Sequence, residues 1–155
     1  MIIQFGHNDR SKRYNRYSDP ETTYRDYLRG FINDVKAKGA IPVLLTATPC
    51  CRFDKKGVMY NASTHHKYNT GTRKVAKETG VDFVDHNKLI VAKLAPLGKE
   101  EAGKYYMNLQ PGEFPAYPDG KKDDTHFRDT GAELAAKLFV ENAKAQELEI
   151  AELFK

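Results

Sequence analysis

Two short stretches carry the residue types of acyl-transfer chemistry. Asp123, Asp124, Thr125 and His126 form an Asp-x-x-His step. That spacing lets the Asp123 carboxylate accept from one imidazole nitrogen of His126 while the other nitrogen faces a reacting hydroxyl. Gly6, His7, Asn8 and Asp9 follow an apolar run at the start of the chain. Gly6 permits a sharp turn, and Asn8 offers a side-chain NH2 to a developing oxyanion. A base and an oxyanion donor are therefore both present, but a nucleophile is not evident. The three serines are Ser11 in a basic loop, Ser18 before a helix start, and Ser63 beside His65 and His66. None follows a strand in the way that presents a strained, exposed nucleophile. Ser11, three residues past Asn8, is the nearest, and we expect it not to serve.

Each stretch also has a plainer structural reading. Gly-x-Asn-Asp forms Asx-stabilised turns at strand ends. Asp123, Asp124 or Thr125 can satisfy backbone donors in front of a helix and leave His126 incidental; we assign Asp124 to solvent or local capping. Arg10, Lys12, Arg13 and Arg16, interleaved with Tyr14 and Tyr17, read either as a solvated loop or as a cationic rim for an acidic polymer, with the tyrosines as sugar platforms. His7 either lines the pocket or packs in the turn.

Cys50 and Cys51 are adjacent, so a mutual bridge would be strained, and two free, partly buried thiols at a strand end are expected. A cysteine nucleophile would need an electropositive partner that the spacing does not specify. His65 and His66 point apart, and no carboxylate or cysteine joins them at ligand spacing. They are expected as a surface or pocket-rim pair, and the sequence gives no metal and no cofactor.

The elements that must position these residues alternate. Met1 to Phe5 reads as a buried strand ending at Gly6. Asp19 caps a helix with Pro20 at its first position, carried by Tyr24, Tyr27, Leu28, Phe31, Ile32 and Val35 and stopped at Gly39. Pro42 to Thr48 is a second strand, Thr64 to Thr79 a helix stopped by Gly80, and Val81 to Asp85 a third strand. Asn87 caps a short helix through Leu94. Pro96 to Lys122, with four glycines and three further prolines, is mostly loop, with one helical turn around Glu100 to Tyr105. Thr130 and Glu133 match a capping box opening a last helix, and the tail from Gln146 continues helical or frays. Strand and helix in alternation predict a three-layer α/β domain with a parallel sheet and right-handed crossovers. In such sheets sites form at the carboxyl ends of strands, where Gly6 to Asp9 and the Thr48 to Arg52 loop must lie.

At 155 residues one domain is expected, with a modest core given 30% charged residues and a mean hydropathy of -0.67. The run Ile41 to Ala47, broken by Pro42, is far short of the roughly 20 apolar residues that span a bilayer. A formal charge of +4, spread along the chain, argues against nucleic acid as a partner. Neither a basic nor an apolar leader region follows Met1.

Phe5-Gly6-His7-Asn8-Asp9 after the first strand and Asp123-Asp124-Thr125-His126-Phe127 before the last helix resemble the third and fifth sequence blocks of the SGNH, or GDSL, hydrolases. Within that superfamily the chain resembles the rhamnogalacturonan acetylesterases, through Ile3 to Asp9, Thr48-Pro49 with Arg52-Phe53 behind it, and the run from Tyr106 to Asp119. The resemblance covers nearly the whole chain. It implies a single SGNH hydrolase-like domain over residues 1–155, the carboxy-terminal portion of the family fold, with a flavodoxin-like three-layer α/β/α parallel sheet. It further implies removal of acetyl groups from pectic rhamnogalacturonan, an acidic polysaccharide, by a Ser-His-Asp mechanism and an oxyanion hole. His126 would be the general base, Asp123 its orienting carboxylate, and Asn8 an oxyanion donor on the turn that Gly6 supports. His7, Arg10 and Arg13 would meet substrate.

The family's Gly-Asp-Ser block and second-block glycine precede the Gly-x-Asn-Asp block, so the resemblance implies that both lie upstream of Met1. In the family's sheet the strand bearing that serine lies beside the strand occupied here by Met1 to Phe5, and self-association through that exposed strand is expected. The family is usually exported, which makes a secreted or periplasmic location an expectation from resemblance alone. The alternative reading is a non-catalytic remnant or sugar-binding module that keeps the cleft and performs no chemistry.

Overall fold

A parallel sheet of three short strands organises the computed structural model, which describes residues 1–59 and 63–154; for Tyr14, Ser63 and Thr64 it describes the backbone alone. The strands are β1 (Ile2–Gln4), β2 (Val43–Leu45) and β3 (Asp82–Val84), in the order β1-β2-β3, with Ile3 opposite Leu44 and Leu44 opposite Phe83. Parallel neighbours require crossovers. Two are helical: α1 (Thr23–Ala37) between β1 and β2, and α2 (Ser63–Thr79) between β2 and β3. After β3 come α3 (His86–Leu94), α4 (Gly98–Gly103) and α5 (Asp129–Ala145), then a 3₁₀ segment at Glu149–Phe154.

Strand periodicity sorts the core into two faces. Ile3 and Leu44 pack with Tyr24, Leu28, Ile32 and Val35 of α1 and with Tyr68, Val75 and Ala76 of α2. Val43, Leu45 and Val84 face the other way, against Phe139 of α5. A third cluster joins Ile90 and Leu94 of α3 to Ala135 and Leu138 of α5 and to Tyr106 and Cys51. The result is the three-layer α/β/α arrangement that the alternation predicts. Among the described residues β1 pairs only with β2, and Ile2 and Phe5 are 47% and 45% exposed. No helix among the described residues is long and apolar enough to cross a membrane.

Several local expectations shift. Each strand is three residues long, inside the longer predicted runs. Asp19 caps, but one turn early: its Oδ1 accepts from the backbone of Glu21 and Thr22, and the α-helix proper starts at Thr23. Asp85, not Asn87, is the N-cap of α3, its side chain accepting from Lys88 N. Asn87 is instead buried inside that helix, where its amide donates to Ala47 O at 2.9 Å and ties α3 to the end of β2. The capping box at Thr130 does not form. α5 already begins at Asp129, with Arg128 as an N-cap whose side chain makes no capping bond. Close packing explains that start: a Cβ at Gly131 would lie 2.0 Å from Tyr105 O, so the first turn of α5 is pressed onto the preceding loop. The tail closes as a 3₁₀ segment whose Phe154 packs edge-on against Phe139 at 6.0 Å.

Candidate active site

The turn after β1 is built from Gly6 outward. Gly6 is buried at φ +121°, and a Cβ there would meet Tyr68 Cβ at 3.2 Å and Ala47 Cβ at 3.4 Å. Only glycine fits both the backbone angle and the space. Its N–H donates to Asp9 Oδ2 at 2.9 Å, while Asp9 Oδ1 accepts from Ser18 Oγ at 3.2 Å. Tyr68 Oη also donates to the Asp9 carbonyl at 3.0 Å. The turn is therefore fixed from α2 and from the Ser18 loop. Asn8 sits at its tip, exposed, with a carboxamide that makes no hydrogen bond to any described residue.

His7 is half-buried and leans the other way. Its Nε2 donates to the Thr48 carbonyl at 2.7 Å, which leaves Nδ1 as the lone-pair nitrogen. Burial, with the nearby charges of Arg10 and His126, lowers its pKa against the raising effect of the Thr48 carbonyl. The two candidate stretches meet through a shared neighbour. They do so on the segment after β2: His7 rests on Thr48, Cys51 N donates to Asp124 O at 2.7 Å, and Cys50 Sγ lies 3.7 Å from Thr125 Oγ1.

The Asp123–His126 loop is closed mainly by its own residues. Asp123 Oδ1 accepts from Thr125 N at 2.9 Å and His126 N at 3.0 Å, and Oδ2 lies 2.8 Å from His126 Nδ1. The Asx-type turn and the carboxylate–imidazole pair are therefore one structure. Burial pushes the Asp123 carboxyl up, but hydrogen bonds from His126, Thr125 and Lys121 outweigh it and hold the group well below the usual carboxylate range. The imidazole is 75% exposed, so its Nε2 is presented outward. A carboxylate that holds one nitrogen and an imidazole that presents the other can take a proton from a hydroxyl and return it.

Asn108, which drew no attention in the sequence, clamps this loop: its Oδ1 accepts from Asp123 N at 3.0 Å and its Nδ2 donates to Asp124 Oδ1 at 3.0 Å. Asp124 is thus tied into the loop rather than left to solvent. No spacing rule marks Asn108, because its partners are 15 and 16 residues away.

A pocket of about 140 Å³ lies against Gly6, His7, Asn8, Asp9 and Thr48. A larger cleft of about 720 Å³ adjoins the Asp123 loop, walled by Asn108, Asp124, Lys99, Lys104, Lys121 and Lys122. Lys121 Nζ is 3.2 Å from Asp123 Oδ2 and 4.7 Å from the Tyr117 ring. The basic loop is as exposed as its composition suggests: Arg10 and Arg13 are both at the surface, and Lys12 lies 5.9 Å from the exposed Tyr17 ring. The Tyr14 side chain lies outside the described residues.

Ser18 Oγ is buried on Asp9, and Ser11 Oγ accepts from Arg13 N at 3.3 Å; the Ser63 side chain lies outside the described residues. Cys50 and Cys51 are free and more deeply buried than expected, at 2% and 1% exposure. Burial pushes the Cys51 thiol up to about 11, away from nucleophilic character. The expected rim pair of histidines divides: His66 is exposed, but His65 is 1% exposed. His65 faces inward from the first turns of α2, its ring 4.4 Å from that of His7, and burial lowers its pKa to about 4.

The GDSL-like lipase/acylhydrolase family profile matches residues 1–134. Rhamnogalacturonan acetylesterase RhgT of Bacillus subtilis (strain 168) is 37% identical over 145 residues, covering 91% of this chain and 59% of the relative. A probable rhamnogalacturonan acetylesterase, YesY, of the same organism is 33% identical over 154 residues, covering 98% of this chain and 65% of the relative. The chain therefore spans about three-fifths of the length of these curated relatives. The crystal structure of Bacillus subtilis YxiM superposes with a TM-score of 0.76 at 24% identity, over 96% of this chain and 37% of that one, a likeness of fold.

Proposed function

This chain belongs to the GDSL-like lipase/acylhydrolase family, and on that premise we propose that it forms the base and oxyanion side of a carbohydrate esterase that deacetylates pectic rhamnogalacturonan. The observation that carries the reading is the Asp123–His126 pair at 2.8 Å, seated on the same Thr48–Cys51 segment as the Asn8 turn. His126 Nε2 takes the proton of a serine hydroxyl as that oxygen attacks the acetyl carbonyl. Asp123 holds the ring and stabilises the imidazolium, and Asn8, fixed by the Gly6 turn, donates to the oxyanion. His126 then returns the proton to the departing sugar oxygen, and water repeats the sequence to release acetate.

The nucleophilic serine in this proposal is supplied from upstream of Met1. Ser11 and Ser18 are engaged with Arg13 and Asp9, and neither hydrogen-bonds to His126. The open side of β1, with Ile2 half exposed, suits a further strand carrying such a residue. Lys99 and Lys122, which share the cleft beside the Asp123 loop with Glu100, Asp119 and Asp124, together with Arg10 and Arg13 offer cations to a polymer bearing carboxylates. The relatives named above, as rhamnogalacturonan acetylesterases, support the same substrate class.

The test compares these 155 residues with the same chain extended by its upstream coding sequence. Acetate release from acetylated rhamnogalacturonan and labelling by a fluorophosphonate are expected only from the extended chain, and His126→Gln should abolish release. Hydrolysis by the 155 residues alone, lost in Ser11→Ala, overturns the placement of the serine. An extended chain that binds the polymer without hydrolysing it establishes the sugar-binding reading instead. The 155-residue chain should also self-associate through β1; a monodisperse monomer by light scattering, with protected amides at Ile2 and Ile3, would overturn that.

A further inference from the structure

Cys50, His7 and His65 come from three different places: the segment after β2, the turn after β1, and the start of α2. The fold brings one ligand atom from each to within 4.8 Å of the other two. Cys50 Sγ lies 3.9 Å from His65 Nδ1. In a tetrahedral zinc site, bond lengths near 2.0–2.3 Å put nitrogen and sulfur ligands about 3.6 Å apart, so the cluster is within a contraction of roughly 1 Å of that geometry.

Two details go beyond proximity. His65 is 1% exposed, yet its Nε2 has no hydrogen-bond partner among the described residues. Leaving that nitrogen unsatisfied costs about 1–3 kcal/mol, which an ion held through His65 Nε2, rather than through Nδ1, would relieve. His7, in turn, donates Nε2–H to the Thr48 backbone carbonyl at 2.7 Å. A backbone carbonyl on one imidazole nitrogen, with the other left free, is how metal-binding histidines are oriented.

We propose that His7, Cys50 and His65 form a binding site for one divalent transition-metal ion of the zinc class, with water in the fourth position. The donor set of two imidazoles and a thiolate selects zinc and its borderline neighbours over magnesium or calcium. Both histidines ligate as neutral imidazoles, and Cys50 releases its thiol proton to solvent as the sulfur–metal bond forms. The positive charges of Arg10 and Arg52 act on His65 and oppose a cation. The Cys50 thiolate, which offsets them, is therefore the ligand that decides binding. The same sulfur contacts Thr125 of the Asp123–His126 loop at 3.7 Å, so a bound ion would tie that loop to the Asn8 turn. The site stands independently of the esterase reading, since it needs neither the serine nor the polymer.

Cobalt(II) is the probe, because a thiolate–cobalt bond gives a near-ultraviolet charge-transfer band. One equivalent per chain should saturate the band, and excess zinc should remove it. Cys50→Ser should abolish the band. His65→Gln should weaken zinc binding by at least the roughly 10–100-fold seen when an outer-shell partner is removed. His66→Gln, one residue away and exposed, should leave binding unchanged. No band with the unsubstituted chain, a full band in Cys50→Ser, or unaltered affinity in His65→Gln overturns the site. Should either variant fail to fold, alkylation of the unsubstituted chain mapped by mass spectrometry decides: zinc must slow modification at Cys50, and equal rates with and without zinc overturn the proposal.

Discussion

The Asn8 turn and the Asp123–His126 loop stand together at one end of the sheet, yet they are held in opposite ways. The turn takes its shape from distant neighbours. Gly6 is wedged against Tyr68 and Ala47, and Asp9 is anchored by Ser18 and Tyr68, while the carboxamide at the tip is uncommitted. The loop takes its shape from itself: one carboxylate accepts two backbone N–H groups and the imidazole within three residues, with Asn108 as its outside clamp. Damage to the turn's frame should therefore register as lost stability, and damage to the loop's carboxylate as lost rate.

The widest separation is expected at Asp123→Asn in the upstream-extended chain that the proposed esterase reading calls for. The amide keeps an oxygen for Thr125 and His126 but cannot hold the imidazole tautomer, so kcat should fall on the order of 10⁴-fold, while the thermal midpoint at neutral pH falls only by the carboxylate's own small share of stability. A fall in midpoint large enough to account for the lost rate would erase the distinction. Next in size is Asn8→Ala. Its side chain is exposed and uncommitted, so stability should hold while kcat drops about 10²–10³-fold, as for loss of an oxyanion donor. An unchanged kcat would remove Asn8 from the oxyanion site.

Gly6→Ala reverses the pattern. The φ of +121° and the 3.2 Å approach to Tyr68 should cost about 1–3 kcal/mol in denaturant unfolding, and a neutral result would show the turn to be less tightly framed than its contacts imply. The smallest effect belongs to pH. The Asp123 carboxyl is held low in the folded chain, so its contribution is complete above the ordinary carboxylate value of about 3.9 and fades as pH falls below it. The acid limb of the thermal midpoint against pH should therefore be shallower in Asp123→Asn. Superimposable limbs would show that the carboxylate contributes nothing to folding.

The same division explains what could be read ahead of the structure. Helix α1 declares most of its buried face in its periodicity, through Tyr24, Leu28, Ile32 and Val35, whereas Tyr27 and Phe31 of the same pattern are 60% and 45% exposed because they lie to the side of that stripe. The Asp123–His126 pair is legible because its partners are only three positions apart. The N-cap of α3 lies two residues before the expected Asn87, which is drawn inward to Ala47, 40 residues away. The capping box at Thr130 fails because Gly131 must press against Tyr105. Local propensity loses in both places to a contact that no local window contains.

The sequence by itself determined the alternation of strands and helices, the carboxylate–imidazole pair, and the glycine on which the Asn8 turn depends, since each follows from spacing or backbone conformation within a few residues. Only the tertiary structure decided that Asn8 and His126 share one floor, that His65 turns inward while His66 does not, and that His7, Cys50 and His65 converge. Those outcomes depend on parallel crossovers that carry residues 41 to 75 positions apart onto the same strand ends. There burial, rather than spacing, fixes which polar atoms face one another.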